Sequence, residues 1–198
     1  HALEEWRAGR EMIANAIRAE REGYDAFVAG HFQDAGLYEA RASVDIPVIG
    51  LGEASLLHAC RMGQRMGLIS WEPAYTSWFR HQIARYGLQE RVAGIYNIKL
   101  DRKLFAAAKT PETIRTLYDH FTDLVRPIVA EGVDVLVPTG GSAMMKAAGE
   151  SARKTAEQLG QPRPLVIAVT VLTSMDDAAL KEIGVKYIFG VPSGGWVD

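Results

Sequence analysis

Two hydrophobic patterns alternate along this chain: stretches with helical spacing of apolar residues, and short runs that are almost continuously apolar. Helices are predicted over residues 3–22, 53–65, 75–86, 110–132, 142–159 and 176–183. Strands are predicted over residues 24–30, 46–50, 66–70, 92–98, 133–138, 164–171 and 185–191. Alternation of helices with short strands is typical of an α/β fold with mostly parallel sheets. Because the strands are apolar on both sides, helices should cover both faces of each sheet.

Composition narrows the class of protein. The chain has 198 residues, a formal net charge of −2 and a single Cys. The near-neutral charge argues against a nucleic-acid partner. One Cys excludes an intramolecular disulfide framework and any Cys-rich zinc or iron–sulfur site. No apolar run is long enough to span a membrane, and we expect a cytoplasmic protein. The expectation of a small anionic or carbonyl substrate comes from the loops and the family resemblance described below.

Chemistry in parallel α/β sheets is concentrated in the loops that leave the carboxyl ends of the strands. One such loop consists of Thr139, Gly140, Gly141 and Ser142, between a predicted buried strand and a helix. Backbone N–H groups that converge at two glycines, next to a helix N-terminus, suit a carboxylate, phosphate or enolate oxygen. An ordinary glycine turn with Ser142 as the helix cap explains the same residues equally well.

A second loop follows the strand predicted over residues 24–30 and carries His31, Phe32 and Gln33. A His at this edge of a sheet can act as a general acid or base near neutral pH, oriented by Asp34 or by Glu53. The alternative is an ordinary loop His in contact with water. We take Phe32, Gln33 and Glu53 as candidate substrate-binding residues. The His residues have no metal-ligand spacing, so we expect no metal.

Three segments resemble the aspartate/glutamate and hydantoin racemase superfamily: GYDAFVAGHFQDAGL (23–37), VDIPVIGLGEA (44–54) and GVDVLV (132–137). The resemblance, over roughly residues 1–145, implies a cofactor-independent enzyme with two Rossmann-like α/β lobes and a site in the cleft between them. It also implies that a strand and a helix are missing before His1, and it raises a homodimer or higher homo-oligomer as the assembly. We expect residues 1–70 with 165–198 in the first lobe and residues 71–164 in the second.

The two catalytic cysteines of that superfamily are both absent here. The resemblance places them at His31 and at about Gly140, whereas the one thiol of this chain is on Cys60. Two-base racemisation needs an acid–base group on each face of the substrate carbon. His31 can serve one face, but Gly140 and Gly141 offer only backbone donors to the other.

Three functions are therefore open. The first is proton transfer next to a carbonyl of a small carboxylate or cyclic amide, with His31 moving the proton and residues 139–142 holding an enolate oxygen. The second is decarboxylation or another lyase reaction in the same cleft. The third is a catalytically silent or engineered binding protein.

A second resemblance lies towards the C-terminus. Residues 165–176, LVIAVTVLTSMD, resemble orotidine 5′-phosphate decarboxylase, and the likeness extends over about residues 140–185. It implies that Thr173 and Ser174 contact the substrate. The catalytic Lys/Asp cluster of that family has no match here, and an eight-stranded barrel normally needs about 200 residues or more. We therefore interpret this likeness as local.

Overall fold

The structure, a computed structural model of the chain, describes residues 2–70, 72–98, 103, 110–139, 142–160, 162, 165–166 and 187–190. Its helices are α1 (Ala2–Arg21), α2 (Leu37–Arg41), α3 (Leu51–Met62), α4 (Thr76–Arg85), α5 (Pro111–Ala130) and α6 (Ser142–Leu159), with a 3-10 turn at Pro73–Tyr75. Its strands are β1 (Ala26–Ala29), β2 (Val48–Gly50), β3 (Met66–Ser70), β4 (Val92–Asn97), β5 (Val135–Pro138), β6 (Leu165–Val166) and β7 (Tyr187–Gly190). The helix predicted over residues 176–183 lies outside the described residues.

The described strands form two parallel sheets, which confirms the predicted α/β class. The first sheet has the order β2-β1-β7 and the second the order β4-β3-β5-β6. In the first sheet Ala29, the last residue of β1, lies beside Gly50 and Gly190. In a parallel sheet the carboxyl ends of all strands meet at one edge. The loops that follow β1 and β2 therefore leave the first sheet on the same side.

The chain divides into two compact units, one made of residues 1–54 and 171–198 and the other of residues 55–170. These boundaries differ from those of the predicted lobes, 1–70 with 165–198 and 71–164. The main difference concerns β3, which hydrogen-bonds to β4 and β5 in the second sheet. This pairing places β3 in the second unit rather than in the predicted first lobe.

The core of the first unit forms around one face of α1. The helix buries residues at intervals of three or four positions, as an amphipathic helix must: Glu5, Gly9, Met12, Ala16 and Ala19. Met12, Ala16 and Ala19 share a buried cluster with residues of β1, α2 and β2, namely Phe27, Ala29, Leu37, Ala40 and Val48. The five-residue α2 was not predicted, because it is too short to show a helical repeat.

The core of the second unit includes the packing of α5 and α6 against its sheet. Helix α5 begins with a capping box, in which the Thr110 hydroxyl accepts from the Thr113 N–H and Thr113 reaches back to the Thr110 N–H. Its buried face includes Phe121, Val125 and Val129, which pack with Ala148 and Ala152 of α6. None of the helices in the described ranges is both long and apolar enough to cross a bilayer.

Candidate active site

His31 lies two residues beyond the end of β1, at the carboxyl edge of the first sheet. Its Nδ1 atom is buried and has no hydrogen-bond partner among the described residues. Burial lowers the pKa of His31 below the usual value of 6.5, because the charged imidazolium is desolvated more severely than the neutral ring. The structure therefore favours a neutral imidazole at this position, on a residue of intermediate exposure. The choice between an acid–base residue and an ordinary loop His stays a prediction.

The carboxylate of Asp34 binds the start of α3, eighteen positions further along the chain. Oδ1 accepts from the N–H of Gly52 at 3.0 Å, and Oδ2 accepts from the N–H of Glu53 at 2.6 Å. Gly50, the residue before the helix, has no side chain with which to cap it, so Asp34 supplies the cap from another loop. Asp34 itself is 7% exposed and has a φ of 52°, a left-handed conformation that Asp tolerates better than most residues.

The lack of a side chain on Gly50 makes room for this contact. A Cβ atom on Gly50 would lie 2.6 Å from Leu37 Cδ2 and 2.8 Å from Asp34 Oδ1, both too close for real atoms. The absence of a side chain thus lets the loop after β1 pack directly against the end of β2. The sequence shows this glycine but not the contact that needs it.

Glu53 is bound by an arginine. Its two carboxylate oxygens accept from Nη1 and Nη2 of Arg41 at 3.1 and 2.5 Å, and Arg41 Nε donates to the carbonyl of Val48 at 2.9 Å. This bidentate pair joins α2 to α3. The sequence predicts that Asp34 or Glu53 orients His31. The carboxylate of Asp34 caps α3 and that of Glu53 pairs with Arg41, and neither is a partner of His31 Nδ1 within the described part of the chain.

The other predicted residues of this loop, Phe32 and Gln33, are buried, with exposures of 4% and 6%. The loop then closes on α1 through two glycines. Gly36 has a φ of 77°, and a Cβ atom there would lie 2.7 Å from the carbonyl oxygen of Gly9. The loop that carries His31 is therefore packed on both sides, by α1 and by the start of α3.

In the second unit, Thr139 lies directly after β5 and is bonded to β3. Its N–H and its hydroxyl both donate to the carbonyl of Ile69, at 2.9 and 3.1 Å. Because the hydroxyl hydrogen is used in this bond, the Thr139 side chain has no donor left for an anion. Thr139 is therefore a weaker candidate than the sequence predicts for direct side-chain contact with an anion.

Two polar residues missed by the sequence analysis end the neighbouring strands of the second sheet. Ser70 ends β3, is 1% exposed, and lies in register with Asn97 at the end of β4. The Ser70 hydroxyl donates to the Glu72 carbonyl at 3.3 Å, and Asn97 Nδ2 donates to Thr76 Oγ1 at 2.8 Å. The signal that could have found them is their place as the last residue of a strand.

For the other predicted site residues, the structure gives only the secondary structure or no description. Ser142 is the first residue of α6, as predicted. Gly140, Gly141, Thr173 and Ser174 lie outside the described residues. The roles proposed for all of them stay predictions.

Cys60 is the single thiol of the chain and lies within α3, partly buried. Burial raises the pKa of this thiol, an effect that the nearby Arg91 partly offsets. Arg91 also donates to the Cys60 carbonyl at 2.7 Å, which contributes to ending α3. No group of three or more His, Cys, Asp or Glu side chains suited to a metal ion occurs in the described ranges.

Comparison with solved structures supports the fold. A TM-score of 0.62 relates the chain to an allantoin racemase from Klebsiella pneumoniae, with 21% identity over 93% of this chain and 70% of the other. A glutamate racemase from Bacillus anthracis gives a TM-score of 0.59, with 13% identity over 96% of this chain and 71% of the other. An arylmalonate decarboxylase variant gives 0.51, with 16% identity over 80% and 68%. At these identities the likeness concerns the fold alone.

Sequence comparison gives two kinds of relative. A hydantoin racemase from Pseudomonas sp. (strain NS671) is 26% identical over 92% of this chain, which spans 60% of that protein's length. An orotidine 5′-phosphate decarboxylase from Moorella thermoacetica is 35% identical, but over 48% of this chain and 44% of its own length. The decarboxylase likeness is thus only partial. The family model for Asp/Glu/hydantoin racemases matches residues 2–179, and the chain therefore belongs to the Asp/Glu/hydantoin racemase family.

Proposed function

We propose that this protein catalyses cofactor-independent proton transfer next to a carbonyl group of a small carboxylate or cyclic amide, with His31 as the acid–base group. The observation that carries the proposal is the environment of His31. His31 follows a central strand at the carboxyl edge of its sheet, and its Nδ1 is buried without a partner among the residues that the structure describes. Membership of a racemase family supports the reaction class.

The proposed step is a reversible deprotonation. Neutral imidazole takes the proton from the substrate carbon, and the electron pair of the broken C–H bond moves to the carbonyl oxygen to give an enolate. The imidazolium then returns a proton to the carbon. The lowered pKa of His31 keeps the ring neutral near pH 7, which is the form that a base requires. Hydrogen-bond donors at the carbonyl oxygen would stabilise this enolate.

A single acid–base group leads to a specific stereochemical expectation. When the same group removes and returns the proton, the configuration of the carbon is retained, while solvent hydrogen replaces the original one. Inversion needs a donor on the opposite face. Exchange of the substrate hydrogen with solvent deuterium should therefore be faster than inversion.

The test is deuterium exchange in D2O. Suitable probes are a hydantoin with a hydrogen at its stereocentre, allantoin and glutamate, chosen from the names of the relatives. We expect exchange by the wild type, and a loss of about 100-fold or more in His31→Gln, the usual range for removing a general base. His58→Gln is the matched control, because His58 lies on the exposed side of α3. Equal exchange by His31→Gln and the wild type, or no exchange with any probe, would contradict the proposal.

Decarboxylation is the second candidate function. It is favoured by the partial likeness to orotidine 5′-phosphate decarboxylase and by the fold shared with arylmalonate decarboxylase. Loss of carbon dioxide from an arylmalonate breaks the C–C bond and leaves an enolate. His31 would take up a proton from solvent and then donate it to the carbon. Release of carbon dioxide from an arylmalonate or from orotidine 5′-phosphate, without hydrogen exchange in the racemase probes, would favour this candidate. A silent binding protein would show neither reaction.

A further inference from the structure

We infer that Asp34 is a positioning residue that holds His31, with its buried Nδ1 atom, in place by joining the loop after β1 to the start of α3. The inference rests on the proposed function for its catalytic consequence, but its structural basis is independent of it. Asp34 lies three positions after His31, and its N–H donates to the His31 carbonyl at 3.1 Å. The same residue therefore contacts the backbone of His31 and the N-terminus of a helix.

The contact with α3 is strong for a single side chain. The carboxylate accepts two backbone N–H groups, from Gly52 at 3.0 Å and Glu53 at 2.6 Å, and Asp34 is 7% exposed. A carboxylate that accepts N–H groups at a helix N-terminus makes shorter and stronger hydrogen bonds than a neutral acceptor, and the helix dipole adds to the attraction. Losing this side chain would leave two N–H donors of α3 without their acceptor.

The loop is closely packed at two glycines. A Cβ atom on Gly50 would lie 2.8 Å from the Asp34 carboxylate, and one on Gly36 would lie 2.7 Å from the carbonyl oxygen of Gly9 in α1. The Asp34 carboxylate is thus one of two close contacts that hold the loop after β1. Without the hydrogen bonds between the Asp34 carboxylate and α3, the loop would lose its contact with the start of that helix, and water would reach the imidazole of His31.

The test compares Asp34→Asn with Asp134→Asn. Asparagine tolerates the left-handed φ of 52° but replaces one of the two accepting oxygens by an N–H₂ group. Asp134 plays the same chemical role in the second unit, where its two oxygens accept from the N–H groups of Gln64 and Arg65, both at 2.8 Å. It precedes β5, at the end of that strand opposite to Thr139, and so controls for the general loss of a carboxylate that accepts two backbone N–H groups.

The main readout is the pKa of His31, from NMR titration of the imidazole C2–H resonance, assigned by its loss in His31→Gln. We expect this pKa to rise towards 6.5 in Asp34→Asn and to be unchanged in Asp134→Asn. Removal of a negative charge alone would lower a His pKa, so a rise identifies the entry of water. We also expect the rate at which the substrate hydrogen exchanges with solvent deuterium to fall on the order of 100-fold in Asp34→Asn, as for a catalytic group displaced by about 1 Å.

Asp34→Glu covers the case in which Asp34→Asn does not fold, because it keeps both accepting oxygens and moves them by one methylene. It should change the pKa of His31 and the exchange rate in the same direction as Asp34→Asn, by less. Unchanged His31 titration in a folded Asp34 variant would overturn the inference and leave the proposed function standing. If the wild type exchanges no probe, the proposed function fails, while the titrations still decide the role of Asp34.

Discussion

At the scale of single residues, His31 combines a catalytic type of side chain with an unfavourable environment. Its Nδ1 is buried and has no hydrogen-bond partner within the described ranges, an arrangement that costs free energy. The close contacts of the loop at Gly36 and Gly50 offset part of that cost. The environment also couples protonation to folding. In the unfolded chain the pKa of His31 returns to about 6.5, so below that pH the unfolded state binds a proton that the folded state resists.

This coupling predicts how stability depends on pH. Because the pKa of His31 is lower in the folded state, its contribution is fully present above about pH 6.5 and is lost as the pH falls towards the lowered pKa. The free energy of unfolding, from urea titrations at pH 7.5 and pH 5.5, should therefore fall more in the wild type than in His31→Gln. His58→Gln should behave as the wild type does. A His31→Gln protein that follows the wild type at both pH values would contradict a lowered pKa.

At the scale of elements, the contact of α1 with the loop after β1 depends on two glycines. Gly36 needs a positive φ of 77°, and a Cβ atom there would also lie 2.7 and 2.8 Å from the oxygen and Cα of Gly9. Gly23, after α1, has nearly the same φ of 78° but no atom within 4 Å of such a Cβ. Comparing substitutions at Gly36 and Gly23 therefore separates the free-energy cost of a left-handed backbone from the cost of the collision with Gly9.

Gly36→Ala should destabilise the protein more than Gly23→Ala. The left-handed backbone alone costs about 1–2 kcal/mol for a residue with a Cβ atom, and only Gly36→Ala adds the collision with Gly9. Urea unfolding monitored by circular dichroism measures the free energy of unfolding of each variant. Equal losses in the two variants would show that α1 does not lie against the loop as closely as the structure has it.

Helices and strands could be predicted from the sequence where neighbouring residues determine their start and end. The bounds of β3 were predicted as they are, and the start of α5 follows from its own Thr110 and Pro111. The start of α3 at Leu51, two residues earlier than predicted, depends on a cap from Asp34 in another loop. Such contacts between distant positions leave no periodic pattern in the chain. For the same reason His31 was found as a candidate, from its place after a strand, while its burial and the function of Asp34 were not.

At the scale of the whole molecule, the chain combines membership of a racemase family with a single thiol. Its family model spans residues 2–179, yet Cys60 is the only cysteine in the sequence. Cys60 lies inside α3, and burial raises its pKa, which reduces the fraction of the reactive thiolate. A mechanism that requires a cysteine would have to use this residue, whereas the proposed mechanism uses His31.

Thiol chemistry therefore provides the last prediction. Cys60→Ala should retain the hydrogen-exchange activity of the wild type, and iodoacetamide should leave the wild-type activity unchanged, because no proton passes through the thiol. His31→Cys, tested in the Cys60→Ala background, places a thiol where the imidazole was, and any exchange activity that it retains should be abolished by iodoacetamide. Circular dichroism of each variant controls for unfolding. Loss of exchange in a folded Cys60→Ala protein would transfer the acid–base role from His31 to Cys60.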